Sequence, residues 1–395
     1  MEKMFNSIDG KVYYLLTNKF HLNSITFTSS FPLTVLNSTY INLLEEILKS
    51  SIENKIKHYP IKFYIQTIKK DNILILACYF QYPRQEFINP NNILFNTILN
   101  IYNDIVNYKN MNTNEIFNNS KQKALKKILL SENDIKTIAV KSCFKALNKD
   151  YVSLYGEETI ISDISEYDFS KWYRYSISNF YIPKQSFLVG SYNQEFISII
   201  KQNLPDSREL TANSIYKEGK IVIDKPVIVE KEVKSKIGFL VIALQVPSPE
   251  KYNNFNLKLL SEYLGGGGYS LLFNKIREEL KLVYQISTTC DQNKGEIIIS
   301  AKVAKNNLKE VTREIDKEIL LLQRQQINES IFWATFNAVR LDEARILDRP
   351  LSLTRSYINT LTNAEKNNEN MFNYDEFNKL IRNVRKVAIV SVLEG

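Results

Sequence analysis

One order of elements (strands, then helices, then a closing strand) is legible twice along the 395 residues. A chain written this way points to two α+β layers in succession rather than one mixed core. In the first half, GKVYYLLTNKFHLNSITFTSSF (10–31) alternates as two strands with Thr-Asn-Lys as the turn. STYINLLEEILKSSI (38–52) carries Ile41, Leu44, Ile47, Leu48 and Ile52 near helical period, and 61–81 reads as a hairpin turning at Lys69–Asn72. Residues 92–107 and 113–148 read as helices, 164–181 as a helix opened by Ser165, and QSFLVGSYN (185–193) as a strand running into a turn. The second half repeats the scheme. A strand at 236–247 and a helix at 253–265 lead into a glycine run with its own helix. A hairpin follows at 284–304 with its turn near Asn293–Gly295, then a helix at 306–326 and a helix-strand pair at 375–395. The halves share rhythm and not letters, so this is a duplicated architecture and not a short-period repeat. The expected division is 1–205, a polar linker at 206–230, and 231–395. Each part is expected as an α+β sandwich, a mostly antiparallel sheet with helices on one face.

Bulk properties narrow the class. Hydrophobic residues are 44% and charged residues 24% of the chain, ordinary for a soluble globular protein. The longest apolar runs, ILILACYF (73–80) and GFLVIAL (238–244), have the length of buried strands and not of membrane spans. MEKMFNSIDGK has Glu2 and Asp9 and no apolar core region, so no signal peptide and a cytoplasmic location are expected. Cys78, Cys143 and Cys290 are far apart and odd in number, which suits buried small hydrophobes in a reducing compartment. The net charge of +8 would attract nucleic acid or an acidic membrane. The basic clusters KQKALKK (121–127) and RNVRK (382–386) are short and suit solvated helix faces, so neither partner is expected.

The densest local feature is LGGGGYSLLFNKIREELKLVY (264–284). Four of the chain's 11 glycines, Gly265, Gly266, Gly267 and Gly268, stand together. Glycine lets another backbone approach closely, and before a helix it leaves N–H groups open to an anion or a carbonyl. After the run, Leu272, Ile276 and Leu280 recur at i, i+4 and i+8 and are expected to face a core, with Arg277 at the edge of that stripe. Tyr284 falls where the chain should enter a strand. No Lys follows the run, so it is not a Walker phosphate loop. The plain reading is a flexible turn, a surface Arg and a core Tyr.

The same segment resembles the second half of the insulinase–pitrilysin zinc peptidases, in the branch with separate subunits like mitochondrial processing peptidase. Those proteins carry a run of small residues, then Ser, Leu-Phe, an I-R-E helix, and a Tyr seven residues after the Arg. LYGEETIISDISEYDFSKWY (154–173) and LVGSYN (188–193) are similar more loosely to stretches of the first half of that family. The resemblance implies a half-clamshell chain in which Arg277, Tyr284 and Gly265–Gly268 bind the substrate peptide. A guanidinium and a phenol O–H suit that role, because both donate to a carbonyl that gains negative charge during attack.

The metal half of the pattern is missing. An active member carries H-x-x-E-H, whose histidines hold Zn²⁺ and whose Glu is the general base, and a Glu roughly seventy residues further on completes the site. This chain has two histidines, His21 and His58, without ligand-spaced partners. Laid on the first helix, the motif falls on Asn42-Leu43-Leu44-Glu45-Glu46, and SKQKALKKILLSE (120–132) is Lys-rich with no Glu before Glu132. Glu45 then reads as an ordinary helix carboxylate, and no Ser or Cys triad is available. The expectation is a non-catalytic chain with no metal or other cofactor of its own. It would serve as the substrate-binding subunit of a two-chain peptidase whose H-x-x-E-H partner supplies the zinc. The setting considered is maturation of a modified peptide or bacteriocin. The alternative is a peptide-binding, chaperone-like homodimer without a peptidase partner.

Overall fold

The computed structural model describes residues 5–70, 72–84, 91–107, 114–148, 151–180, 185–192, 194–203, 225–233, 237–247, 252–292, 294–324, 327–361 and 372–394. The expected linker at 206–230 falls outside these residues up to 224.

The chain forms two compact units. The first contains residues 1–130, 152–219 and 346–362. Its six strands are β1 (Asn6–Ile8), β2 (Val12–Leu16), β3 (Leu22–Pro32), β4 (Lys62–Lys70), β5 (Ile73–Pro83) and β6 (Gln185–Gly190), in the order β1-β2-β6-β3-β5-β4. β2 and β3 do not pair across the Thr-Asn-Lys turn as a hairpin would. β6 lies between them, parallel to β2 and antiparallel to β3, so the sheet is mixed.

Period-two alternation decides which side each strand buries. Phe27 and Phe31 of β3 and Leu76 and Phe80 of β5 face a core shared with Leu44, Ile47 and Leu48 of α1 (Val35–Ile56). Thr34 caps α1, its Oγ1 accepting from Asn37 N–H at 3.0 Å. α2 (Asn91–Asn107), α3 (Asn114–Asn133), α5 (Glu158–Asp163), α6 (Glu166–Phe180) and α7 (Gln194–Asn203) contribute to the same core. Ser165 opens α6 as expected, and it does so as a capping box. Its Oγ accepts from Asp168 N–H at 3.1 Å while its own N–H donates to Asp168 Oδ2 at 3.3 Å. Gly156 adopts φ +80°, with Thr39 Cα of α1 only 2.4 Å from where a Cβ would stand, so only glycine fits there.

The second unit contains residues 131–151, 220–345 and 363–395. Its sheet is β7 (Val227–Val233), β8 (Gly238–Gln245), β9 (Val283–Asp291), β10 (Glu296–Val303) and β11 (Arg385–Glu394), in the order β7-β11-β8-β10-β9. It too is mixed, since β7 runs parallel to β11. Leu240, Ile242 and Leu244 face a core with α8 (Asn254–Gly265), α9 (Leu308–Arg324), α10 (Glu329–Ile346) and α12 (Tyr374–Asn383). The stripe expected on the 306–326 helix is present: Val311, Ile315 and Leu322 are buried and Leu308 and Ile319 pack against that core.

Each sheet also carries one helix on its other face, and that helix comes from the opposite half of the sequence. α4 (Ile135–Leu147) places Ala139, Cys143 and Leu147 against Phe239, Val241, Ala243 and Val390 of the second sheet. α11 (Pro350–Leu361) places Leu353, Tyr357 and Ile358 against Tyr13, Ile75 and Phe187 of the first.

Candidate functional site

In the second unit, α8 ends at the glycine run and a π-helix spans Phe273–Glu279. Its wider turn shows in Leu280 N–H donating to Lys275 O, five residues back, at 3.0 Å, and Leu282 N–H closes the C-terminal end on Ile276 O at 3.0 Å. The extra residue per turn corrects the expected stripe. Leu272 and Ile276 are fully buried, but Leu280 no longer returns to that face and is 39% exposed.

None of the four consecutive glycines has a positive φ. Gly265 and Gly266 instead serve close packing. A Cβ on Gly265 would stand 3.2 Å from Thr288 N of β9, and one on Gly266 would stand 2.8 Å from Glu262 Cα. Gly267 lies against its own neighbour, the Tyr269 ring, at 3.1 Å, and Gly268 has only Phe273 at an ordinary 3.8 Å. Ser270 closes the turn, its N–H and Oγ both donating to Gly267 O at 3.0 and 2.7 Å.

Arg277 and Tyr284 both sit on irregular backbone. Arg277 projects from the π-helix with its side chain 42% exposed, its guanidinium 4.6 Å above the Phe273 ring and 3.7 Å from Glu278. Lys281 then takes φ +55°, a left-handed conformation that ends the helix and costs a Cβ-bearing residue about 1–2 kcal/mol. Tyr284 enters β9 as the expected strand residue, yet it is 59% exposed and not a core tyrosine. The ladder passes from Gln285↔Lys302 to Val283↔Val303, which makes Tyr284 the extra residue of a β-bulge. A bulge re-aims a side chain, and β9 is the end strand of its sheet. Periodicity alone could not reveal the π-turn or the bulge, since both break the period.

The first unit holds the region where the zinc motif would fall. Asn42, Glu45 and Glu46 share one face of α1. Asn42 Nδ2 donates to Ala124 O at 3.3 Å and Tyr155 O at 3.1 Å. Glu45 accepts from Thr67 Oγ1 at 3.0 Å. Lys127 of α3 approaches both carboxylates, with Nζ 2.5 Å from Glu46 Oε1 and 3.3 Å from Glu45 Oε1. Desolvation opposes the charge on Lys127, but Glu46 and Glu45 outweigh it and hold its pKa above the ordinary lysine value. An ammonium paired to the carboxylates does not fit a zinc centre, whose ligands must converge on the metal itself. His21 and His58 are exposed in turns and take no part. Among the described residues no group of three His, Cys, Asp or Glu could hold a metal.

Of the four lysines in the 121–127 cluster, Lys121 donates instead to Ser162 O and Ile164 O, and Lys123 to Ser50 Oγ. Lys127 was not distinguishable from them by composition. Its signal is position: it stands three after Ala124 and one before Ile128, both buried on the inner stripe of α3.

Residues 185–337 match the family model described as Peptidase M16 inactive domain. The resemblance is to the M16, insulinase-type, peptidases in their inactive form. The fold agrees over nearly the full length. A conserved protein from Enterococcus faecalis superposes with TM-score 0.83 at 16% identity, covering 97% of this chain and 96% of that one. A protease from Helicobacter pylori gives 0.76 at 13%, covering 98% of each, and a peptidase M16 inactive domain from Pseudomonas fluorescens gives 0.69 at 12%, covering 97% and 96%. No curated protein sequence matches the chain. The α+β architecture of two sheets with helices is thus the M16 one, and among the described residues no helix is long and apolar enough to cross a membrane.

Proposed function

We propose that this chain is the non-catalytic, substrate-binding subunit of a two-chain M16-type peptidase, of the branch with separate subunits. Its partner bears H-x-x-E-H and supplies the zinc, the water and the base. Arg277 and Tyr284 hydrogen-bond the peptide backbone, and the turn at Gly267–Gly268 lets that backbone pass close by. The observation that carries this reading is that both side chains are exposed and both stand on backbone irregularities, the π-helix and the β-bulge. Such features cost stability in a fold that has no use for the aim they give. The end position of β9 adds an edge on which an extended peptide could lie as a further strand. The substrate class is a small unfolded peptide, with maturation of a modified peptide as the setting and the cytoplasm as the compartment.

The test is reconstitution. The chain is mixed with an H-x-x-E-H-bearing M16 chain of similar length from the same genome, and cleavage of fluorogenic peptides is followed. Activity should require both chains, and Arg277→Ala should lower kcat/KM on the order of 10²-fold while the two chains still co-elute. Absence of activity in the mixture, or an Arg277→Ala mixture as active as the parent, refutes the reading.

A further inference from the structure

On the face of the first sheet that α11 covers, opposite α1, there is a cavity of about 520 Å³, a volume that suits a small molecule. β3 and β5 line it with Leu22 and Gln81, the turn before β3 adds Lys19, Phe20 and His21, and the start of α11 closes it. Three positive side chains, Lys19, Arg349 and Arg355, meet one carboxylate there, Asp348, and Lys19 answers that carboxylate at 2.8 Å. Neither arginine has an ion pair among the described residues. Arg355 is nonetheless held in place. Its guanidinium lies over the rings of Tyr64 and Tyr79, 4.7 and 5.2 Å from their centroids, while its buried Nε has no hydrogen-bond partner. The rings fix its aim but supply no acceptor, and a buried donor without one is costly. The start of α11 makes a second, independent demand for an acceptor. Leu353 N–H donates to Arg349 O at 3.0 Å, so Arg349 is the N-cap and Pro350 the first helical residue. An arginine side chain has donors only and cannot accept from the N–H groups of Leu351 and Ser352, as a Ser or Asp at that position would. Both of those residues line the cavity. The same face of the sheet keeps further polar atoms unanswered: Ser24 Oγ, across the ladder from Gln81, and Thr26 Oγ1, across from Tyr79, are buried without a hydrogen-bond partner.

We propose that this cavity binds the phosphate group of a small molecule, held by the guanidinium groups of Arg349 and Arg355 and by the first N–H groups of α11. Three cations less one carboxylate leave two positive charges, which match a phosphate dianion, and a forked guanidinium matches its oxygens. The open amides and the positive end of the helix dipole act in the same sense. The space beside Phe20 and Leu22 is room for an organic body attached to the phosphate. The proposal does not rest on the peptide-binding reading, which uses residues of the second unit only.

The full chain is titrated calorimetrically at low ionic strength with inorganic phosphate, glycerol phosphate and ADP, and with succinate as a dianion without phosphorus. One equivalent of a phosphate compound should bind. Binding should weaken about 10-fold or more in Arg355→Gln and in Arg349→Gln, each of which removes a charged donor. Lys19→Gln should change it less, since that charge already serves Asp348. An ester that binds more tightly than inorganic phosphate makes the ligand a phosphate ester, and equal binding makes it free phosphate; either result supports the proposal. Absence of saturable binding by all three phosphate compounds overturns it. So does succinate binding as tightly as they do, or binding that either folded variant leaves intact. Arg349 is exposed, so Arg349→Gln keeps the fold and decides the matter alone if Arg355→Gln does not fold.

Discussion

Replacing Gly265 by Ala puts a methyl group 2.7 Å from Thr288 Cγ2, 3.2 Å from Thr288 N and 3.3 Å from Ser287 C. The threonine methyl cannot simply rotate away, because Thr288 Oγ1 donates to Ser261 O at 2.6 Å and that bond fixes the rotamer. Either the bond breaks, at about 0.5–1.5 kcal/mol, or β9 moves off α8, at the roughly 1–3 kcal/mol typical of overpacking. The gain in helix propensity from Gly to Ala, up to about 1 kcal/mol, offsets part of this. The net expectation is a loss of about 1–3 kcal/mol, or a Tm drop of roughly 3–10 °C. Gly268→Ala is the matched control. Its new methyl meets only Phe273 Cε1 at 3.8 Å, so its stability should stay within about 0.5 kcal/mol of wild type. Gly267→Ala should fall between, since the Tyr269 ring at 3.1 Å can swing. Calorimetry or circular-dichroism melting of the three variants at one pH reads the order directly. If Gly265→Ala melts with wild type, or Gly268→Ala is as damaged as Gly265→Ala, the close-packing account of the run is wrong. Gly268→Ala is then also the variant in which a loss of peptide affinity can be read without a loss of fold.

Three further expectations follow from ionisation. The raised pKa of Lys127 gives stability that is whole below the unfolded value of 10.5 and disappears as pH climbs through the folded one. The gap in Tm between wild type and Lys127→Met should therefore be flat from about pH 6 to 9 and narrow only in stronger alkali. Burial, with Asp342 adding to it and Lys258 opposing it, raises the pKa of Glu262 beside the glycine run. A raised carboxyl contributes stability below its unfolded value and loses it as pH rises, so Glu262→Gln should raise Tm slightly at pH 7, by no more than about 2 °C for a half-exposed group, and not at pH 4. Burial, and secondarily Glu45 for Cys78 and Glu296 for Cys143, pushes both thiols up to about 12. At pH 8 a thiol reagent should reach only Cys290 in the native chain and all three cysteines after denaturation. Fast labelling of Cys78 in the native state would contradict the packing around β5.

Much of this architecture was legible because apolar residues outline it. Unbroken apolar runs of strand length marked β5 and β8, and the 3.6-residue stripe marked α1 and α9. Ser165 announced the start of α6 through a local capping box that needs no tertiary context. What stayed hidden was decided by partners distant in sequence. Nothing local in LVGSYN says that β6 should lie between β2 and β3 and prevent their pairing. Leu280 follows the right spacing and is still outside the core, because the π-turn adds a residue that spacing cannot register. At the zinc motif, the absence of histidines was plain from the letters. The pairing of Glu46 with Lys127 spans 81 positions and needed the packing of α3 on α1 to appear.

The reciprocal helices set a constraint on how this chain can be made and divided. α4 leaves the ribosome well before the strands it must cover, so its apolar face with Ala139 and Cys143 waits uncovered until β8 and β11 exist. α11 is the reverse: the stack of Phe5 on Tyr357 completes a layer whose strands were synthesised hundreds of residues earlier. A cut in the middle of the sequence would thus leave each fragment carrying a helix without its sheet and a sheet without its helix. Such fragments should be soluble only when produced together, and evolution by swapping one half for another would have to carry the stray helix along.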